Sequence, residues 1–141
     1  MSGRFARVLV AVDGSRRALR VLEPVREVVE AGAAPSPEVT FLRVISPGDG
    51  PADASAAEGA LEADLEEARA LLGPNIQVRG EVVRGVPADE IVRYARETGQ
   101  DLVAMACHGR RSLGRWLLGS VAEEVTRACE KPVLLWRTGT A

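Results

Sequence analysis

The stretch of sequence that decides the fold comprises residues 102–125, LVAMACHGRRSLGRWLLGSVAEEV. Its first five residues are apolar, which is typical of a buried strand. They lead into a predicted loop that begins at Cys107 and ends at Gly119, and a helix is predicted to follow from Ser120. The predicted loop contains three basic residues, Arg110, Arg111 and Arg115.

A strand, a basic loop with glycines and a helix start form an arrangement with which proteins bind phosphate. Gly109 and Gly119 would let a ligand approach the main chain, and the N–H groups and dipole of a helix start favour negative charge. Two alternatives need no ligand: Gly109 is a turn residue, and Ser120 forms a capping box with Glu123. These residues alone leave the alternatives open.

Length and composition limit the classes of protein to consider. The 141 residues, 46% of them hydrophobic, predict one domain over residues 1–141 with a hydrophobic core. The net charge of −2 does not favour a nucleic-acid partner. No apolar run approaches the roughly 18 residues of a membrane span, and the N-terminus lacks the apolar segment of a secretory signal. The two cysteines, Cys107 and Cys129, fit a reducing compartment, so a cytoplasmic location is expected.

Apolar and amphipathic segments alternate along the whole chain. The predicted strands are residues 5–12, 39–45, 76–83, 102–106 and 133–136. The predicted helices are residues 16–30, 54–72, 87–97 and 120–129, the first of them capped by Ser15 and interrupted by Pro24. This order predicts an α/β fold with a mostly parallel sheet and helices on both faces. The third strand alternates between apolar and polar residues, so it is expected at an edge of the sheet.

The ends of the first and fourth strands are the expected place for a ligand. In open parallel sheets, ligands bind beyond the carboxyl ends of the strands, where the strand order reverses. Asp13 and Gly14 follow the first strand, and Cys107 follows the fourth. If these two strands are neighbours, their turns face each other across one crevice. This possibility favours the phosphate-binding interpretation of residues 102–125.

Four segments together resemble the universal stress protein family over nearly the whole chain. The segments are VLVAVDGS (8–15), LRVI (42–45), VVRGVPADEI (82–91), and HGRRSLGRWLLGSVAEEV (108–125) followed by KPVLLW (131–136). The resemblance implies a single-domain, open five-stranded parallel sheet with strand order 3-2-1-4-5 and helices on both faces. That order would make the first and fourth strands neighbours and would place the third at an edge.

The ATP-binding branch of that family carries a glycine motif that this chain matches in part. The motif is Gly, two residues, Gly, nine residues, Gly, then Ser or Thr. Its elements fall here on Ala106, Gly109, Gly119 and Ser120, so alanine replaces the first glycine. If the position requires a positive φ, alanine costs about 1 kcal/mol. If it only requires the main chain to lie near the ribose, one methyl group is tolerated, and the sequence leaves both possibilities open.

The resemblance implies a role for each position of the site. Asp13 would bond the nucleoside, the main chain at Val44 would meet the adenine edge, and the main chain at Ala106 and Cys107 would lie along the ribose. The phosphates would be surrounded by Gly109, Arg110, Gly119, Ser120 and Val121. The implied cofactor is ATP, or AMP or ADP, with Mg or Mn held through the phosphates and no metal site made by the protein alone. The single histidine, His108, is interpreted as a loop-shaping residue because no nucleophile or carboxylate can be assigned to it.

Two functions from different classes follow from these residues. The first is an adenine-nucleotide-binding regulatory protein of the stress response that acts by its bound state, with no catalytic residues assigned and at most slow ATP hydrolysis. The alternative, favoured by Ala106, is a nucleotide-free dimeric interaction protein of the same fold. An ATP-using transferase or pyrophosphatase would need a serine- and glycine-rich first loop, whereas this chain has only Asp13, Gly14 and Ser15 there.

The last predicted strand is the expected site of self-association. It consists of Val133, Leu134, Leu135 and Trp136, and it is apolar on both sides of the pleat. The implied strand order places it at an edge of the sheet, where unpaired main-chain groups invite pairing with a second copy. A homodimer through this strand is therefore predicted, with no nucleic-acid or membrane partner. The alternative is that the C-terminal tail or a helix covers the edge.

Overall fold

The computed structural model describes residues 5–107, 110–112, 115–117 and 119–138. Its strands are β1 (Arg7–Val12), β2 (Glu38–Ile45), β3 (Gln77–Arg84), β4 (Leu102–Cys107), β5 (Arg110–Ser112), β6 (Arg115–Leu117) and β7 (Val133–Arg137). Its helices are a 3-10 helix (Arg16–Val21), α1 (Leu22–Gly32), α2 (Pro51–Leu72), α3 (Pro87–Glu97) and α4 (Ser120–Ala128). No helix in the described ranges is long and apolar enough to cross a membrane.

Five strands form one parallel sheet in the order β3-β2-β1-β4-β7. Counted along the chain within this sheet, the order is 3-2-1-4-5, which confirms the predicted α/β fold. The strands β1 and β4 are neighbours, with Val8 opposite Leu102 and Ala11 opposite Met105. The predicted edge position of β3 is also confirmed, because β3 pairs only with β2 in this sheet.

The side chains of each inner strand divide between two apolar layers. In β1, Val8 and Val10 pack on the side of α1 and α2, while Leu9 packs on the side of α3 and α4. All three are completely buried. The inner strands are almost continuous apolar runs because helices cover both of their faces. An edge strand, in contrast, can expose one face to solvent.

The segment before α4, predicted as a loop, contains two short strands. The strands β5 and β6 pair in antiparallel fashion, with Arg110 opposite Leu117 and Ser112 opposite Arg115. Only two residues separate the strands, which is a usual length for a hairpin connection. The arginines and glycines of this segment carry no alternation of apolar and polar residues, so its pairing is not visible in the sequence pattern.

The first predicted helix is two elements rather than one. A 3-10 helix covers Arg16–Val21, and α1 begins only at Leu22. Pro24 therefore lies in the first turn of α1, where a missing N–H group costs little. The predicted capping role of Ser15 is wrong, because Ser15 precedes the 3-10 helix without making a side-chain capping bond.

Candidate functional site

A cavity of about 430 Å³ lies over the carboxyl ends of β1, β2 and β4, beside the N-terminal end of α4. This volume is within the usual range for small-molecule sites. Seven of the predicted site residues line this one cavity: Asp13, Val44, Ala106, Cys107, Gly119, Ser120 and Val121. Arg110 is the first residue of β5. Gly109 and His108 lie outside the described residues.

The N-terminus of α4 does not contain the capping box that was considered for Ser120 and Glu123. Gly119 is the N-cap residue, and Ser120 is the first residue of the helix. The Glu123 N–H group donates to the Gly119 carbonyl oxygen at 3.0 Å, which is an ordinary bond of the first helical turn. Because a capping box needs serine at the N-cap position, Ser120 and Glu123 do not form one. The first N–H groups of α4 have no partner within the helix and border the cavity.

Gly119 leaves space that a phosphate-sized group could use. A Cβ atom placed on Gly119 would have no described heavy atom within 4 Å. Its φ of −67° and ψ of 158° are accessible to any residue. The described residues therefore give no reason for glycine at this position, whereas a ligand that approaches the main chain closely does. The donors and the space at this helix start fit a nucleotide phosphate.

Asp13 is held by a local turn and remains a charged acceptor. Its Oδ1 atom accepts a hydrogen bond from the Ser15 N–H group at 2.9 Å. Partial burial works to raise the pKa of the Asp13 carboxyl, but hydrogen bonds from Ser15 and the positive charge of Arg17 outweigh it and hold the pKa below its ordinary value. The turn role and a ligand role are compatible, because a carboxylate has two oxygens and can accept several hydrogen bonds.

Gly14 is a position where the turn after β1 requires glycine. Its φ is +87°, a conformation that other residues adopt only with strain. The Arg43 guanidinium lies against it, with Nη1 only 2.5 Å from the place that a Cβ atom on Gly14 would occupy. Arg43 thus borders both the main cavity and a second cavity of about 390 Å³ beside the start of α2.

Ala106 does not carry the backbone strain that the first alternative required. It lies within β4, opposite Trp136 of β7. Among the described residues other than glycine, only Phe5 and Ala33 have a positive φ. The strained-position alternative for Ala106 is therefore wrong. The other alternative for Ala106, a methyl group beside the ligand, is left open: the residue is half-buried and lines the cavity.

Cys107 contributes an apolar surface to the cavity. The residue is buried, with 3% of its surface exposed. Burial raises the pKa of the Cys107 thiol, although the charge of Arg137 works in the opposite direction. Cys107 is therefore a neutral thiol at pH 7, which makes it a poor nucleophile and a poor metal ligand. Elsewhere in the described ranges, no cluster of three or more His, Cys, Asp or Glu residues could hold a metal ion.

Four polar residues of the cavity wall were not predicted as site residues: Ser15, Arg17, Arg43 and Thr138. The first two follow Asp13 closely, so the turn after the first strand could have indicated them. Arg43 lies directly before Val44 and opposite Val12 in the register of β1 and β2. Thr138 follows β7, and the rule that ligands bind beyond the carboxyl ends of strands applies to that strand as well.

Comparisons with known proteins agree with this architecture. The family model described as "Universal stress protein family" matches residues 4–137. Universal stress protein MJ0577 of Methanocaldococcus jannaschii is 42% identical over 59 residues, which cover 42% of this chain and 36% of that protein. Universal stress protein MJ0531 of the same organism is 43% identical over 60 residues, which cover 43% of this chain and 35% of that protein. The matched stretch thus spans only about a third of these curated relatives.

Solved structures resemble the chain over its full length. The structure of MJ0577 matches with a TM-score of 0.77 and 26% identity, covering 97% of this chain and 99% of that chain. A universal stress protein solved in complex with cAMP matches with a TM-score of 0.70 and 26% identity, covering 100% of both chains. Because the family model covers nearly every residue, the chain belongs to the universal stress protein family.

Proposed function

We propose that this chain is a cytoplasmic, adenine-nucleotide-binding regulatory protein of the stress response, which binds ATP in the cavity at the ends of β1 and β4. The observation that carries the proposal is the convergence of seven predicted site residues, from four separate segments of the chain, on that one cavity. The structure of a family relative in complex with cAMP, an adenine nucleotide, supports the choice of base.

The cavity has a suitable end for the phosphates. Here α4 begins with Gly119, Ser120 and Val121, whose N–H groups and helix dipole favour an anion. Ser120 is an exposed residue at the same place, and its hydroxyl can donate a further hydrogen bond. A divalent cation such as Mg or Mn would be held through the phosphate oxygens, consistent with a site that supplies main-chain donors rather than carboxylates.

The other end of the cavity suits the nucleoside. Asp13 is a charged acceptor for the ribose hydroxyl groups, and the Val44 main chain would meet the adenine edge. Apolar side chains of Ile91 and Met105 line the same cavity and can pack against a base.

The described lining favours binding over rapid turnover. Asp13 is the only carboxylate among the described residues of the cavity wall. Because its pKa lies below the ordinary value, it is a weak general base at neutral pH. We therefore propose that the protein acts by its bound state, with at most slow ATP hydrolysis.

Nucleotide extraction tests this function directly. The protein, purified from its native host, is denatured in acid and the extract is analysed for adenine nucleotides. Calorimetric titration with ATP, ADP and AMP then identifies the preferred species. We expect a co-purified adenine nucleotide and measurable ATP binding. A protein that carries no nucleotide and binds none of the three would favour the nucleotide-free alternative.

The nucleotide-free dimeric protein is the second candidate because Ala106 replaces the first glycine of the motif. Both candidates can form a dimer, because β7 lies at an edge of the described sheet. Trp136 on that strand has 42% of its surface exposed. An open edge with an exposed aromatic residue suits self-association. We include a homodimer through residues 133–136 in the proposed function, since none of these residues lines the cavity.

Replacement of Asp13 by asparagine should weaken ATP binding by about 1–3 kcal/mol, the cost of losing a charged acceptor for a polar ligand group. Asparagine retains an oxygen that can accept from the Ser15 N–H group, so the turn should survive. Asp13→Ala, which loses the turn bond as well, should lower both the affinity and the melting temperature. Titration and thermal unfolding separate these effects, and an Asp13→Asn protein with unchanged affinity would remove Asp13 from the site.

Replacement of Ala106 by glycine should not improve ATP binding. Ala106 has no backbone strain to relieve, and glycine within a strand lowers the free energy of unfolding by roughly 0.5–1 kcal/mol. We expect unchanged affinity in titration and a small loss of stability in urea unfolding. A marked gain in affinity would instead mean that the methyl group holds the nucleotide away from β4.

A further inference from the structure

A buried hydroxyl group at the end of β7 has no partner in the part of the chain that the structure describes. Thr138 directly follows β7, and its Oγ1 atom is buried with no hydrogen-bond partner among the described residues. Buried hydroxyl groups are nearly always paired, because an unpaired one loses its bonds to water without replacement. Thr138 also lines the main cavity. Its hydroxyl group is therefore a candidate donor for a ligand bound there.

The main chain of Thr138 is fixed on both sides. Its N–H group donates to the Cys107 carbonyl oxygen at 3.1 Å, which extends the pairing of β4 and β7 by one residue. Its carbonyl oxygen accepts from Arg20 Nη1 at 3.4 Å. The unpaired hydroxyl is thus part of an ordered strand end, held against β4 and the 3-10 helix.

The position of Thr138 in the sheet indicates which part of a nucleotide it would meet. The strands β2, β1, β4 and β7 are consecutive, and neighbouring strands lie about 4.8 Å apart. Val44 on β2 and Thr138 after β7 therefore lie at opposite ends of the cavity. The helix α4 packs against β7, and the start of α4 lines the same cavity as Thr138. If the phosphates lie at the start of α4, as the proposed function has it, Thr138 would share that end of the cavity, away from the base.

We propose that the Thr138 hydroxyl donates a hydrogen bond to a phosphate oxygen of the bound adenine nucleotide. This bond would stabilise the end of β7 when the nucleotide is present. This inference rests on the proposed function. A hydrogen bond from a hydroxyl to a charged oxygen is stronger than one between neutral groups. Because the same residue continues the pairing of β4 and β7, nucleotide binding would stabilise the end of the strand that is proposed to form the dimer edge.

Two substitutions of Thr138 test the contact. Thr138→Val keeps the shape of the side chain and removes the hydroxyl, whereas Thr138→Ser keeps the hydroxyl. We expect Thr138→Val to weaken ATP binding about fivefold or more and Thr138→Ser to bind nearly as the native protein does. Adenosine, which lacks phosphate, should bind the native protein and Thr138→Val alike. An equal loss for adenosine would place the contact on the nucleoside and overturn the assignment.

Stability and amide exchange give readouts that a purely structural role would not produce. Without nucleotide, Thr138→Val should melt at the same temperature as the native protein or higher, because it removes an unpaired buried group. ATP should slow hydrogen exchange of the Thr138 amide in the native protein but not in Thr138→Val. A lower melting temperature together with unchanged affinity would mean that the threonine is structural and would overturn the inference.

The outcomes also separate this inference from the proposed function. If the native protein binds ATP and Thr138→Val binds it equally well, the inference fails and the proposed function stands. If the native protein binds no adenine nucleotide, the proposed function fails and the inference fails with it.

Discussion

Replacement of Gly119 by valine should abolish ATP binding and leave the fold intact. The valine side chain would project where no described heavy atom lies within 4 Å, at the start of α4. A phosphate there must approach the N–H groups of Ser120 and Val121 closely, and the added methyl groups would occupy that space. We expect the affinity to fall by at least about a hundredfold, since the phosphate loses several charge-assisted hydrogen bonds.

The fold should survive because Gly119 adopts ordinary backbone angles. Its φ of −67° is accessible to valine, so no backbone strain arises. The remaining cost is that valine is a poorer N-cap residue than glycine, an effect of about 1 kcal/mol or less. Circular dichroism should therefore show a native spectrum, and the melting temperature should fall by only a few degrees.

A matched control is available in α2. Gly59 also has no described heavy atom within 4 Å of an added Cβ atom, but it is exposed and does not line the cavity. Gly59→Val adds the same side chain at a position that does not line the cavity and should leave ATP affinity unchanged in titration. A folded Gly119→Val protein that binds ATP as tightly as Gly59→Val does would disprove the phosphate site.

The fold was predictable because burial leaves a direct pattern in the sequence. Strands with two covered faces must be apolar throughout, and β3 alternates because one of its faces meets water. The pairing of β5 and β6 left no such pattern. Neither did the 3-10 helix before α1, since its apolar residues Ala18, Leu19 and Val21 also fit the spacing of an α-helix. Such local geometry depends on contacts with the rest of the fold.

The candidate site was predictable only where its residues adjoin a motif. Asp13, Gly119 and Ser120 follow strands or begin helices in a recognisable order. Arg43 and Thr138 reach the same cavity through the sheet register, since Val12 lies opposite Arg43 and Cys107 lies opposite Arg137. Register is a property of paired strands, so a single sequence does not reveal it. The structure also shows that Ala106 is unstrained, so backbone strain at this position is not an argument against nucleotide binding.

The register also shows which main-chain groups of β7 face outward. Val103 N–H donates to the Pro132 carbonyl oxygen, and Thr138 N–H donates to the Cys107 carbonyl oxygen. Because main-chain groups alternate in direction along a strand, the even-numbered residues of β7 bond to β4. The N–H groups of Val133, Leu135 and Arg137 therefore point away from β4, toward the outer edge of the described sheet. A second copy related by a twofold axis could pair with them in antiparallel fashion.

Replacement of Leu135 by proline should convert the protein from a dimer to a monomer. Proline removes an outward N–H group and leaves the bonds to β4 in place, which an edge strand tolerates. Leu134→Pro would instead remove a bond to β4 and destabilise the sheet, so it cannot distinguish lost dimerisation from lost folding.

Leu135→Ala is the matched control, because it removes most of a half-buried side chain but retains the N–H group. In analytical ultracentrifugation at about 50 μM, where a dimer with a sub-micromolar dissociation constant would be nearly complete, the native protein and Leu135→Ala should sediment as dimers and Leu135→Pro as a monomer. A monomeric native protein at that concentration would contradict dimerisation, and a dimeric, folded Leu135→Pro protein would place the interface away from β7.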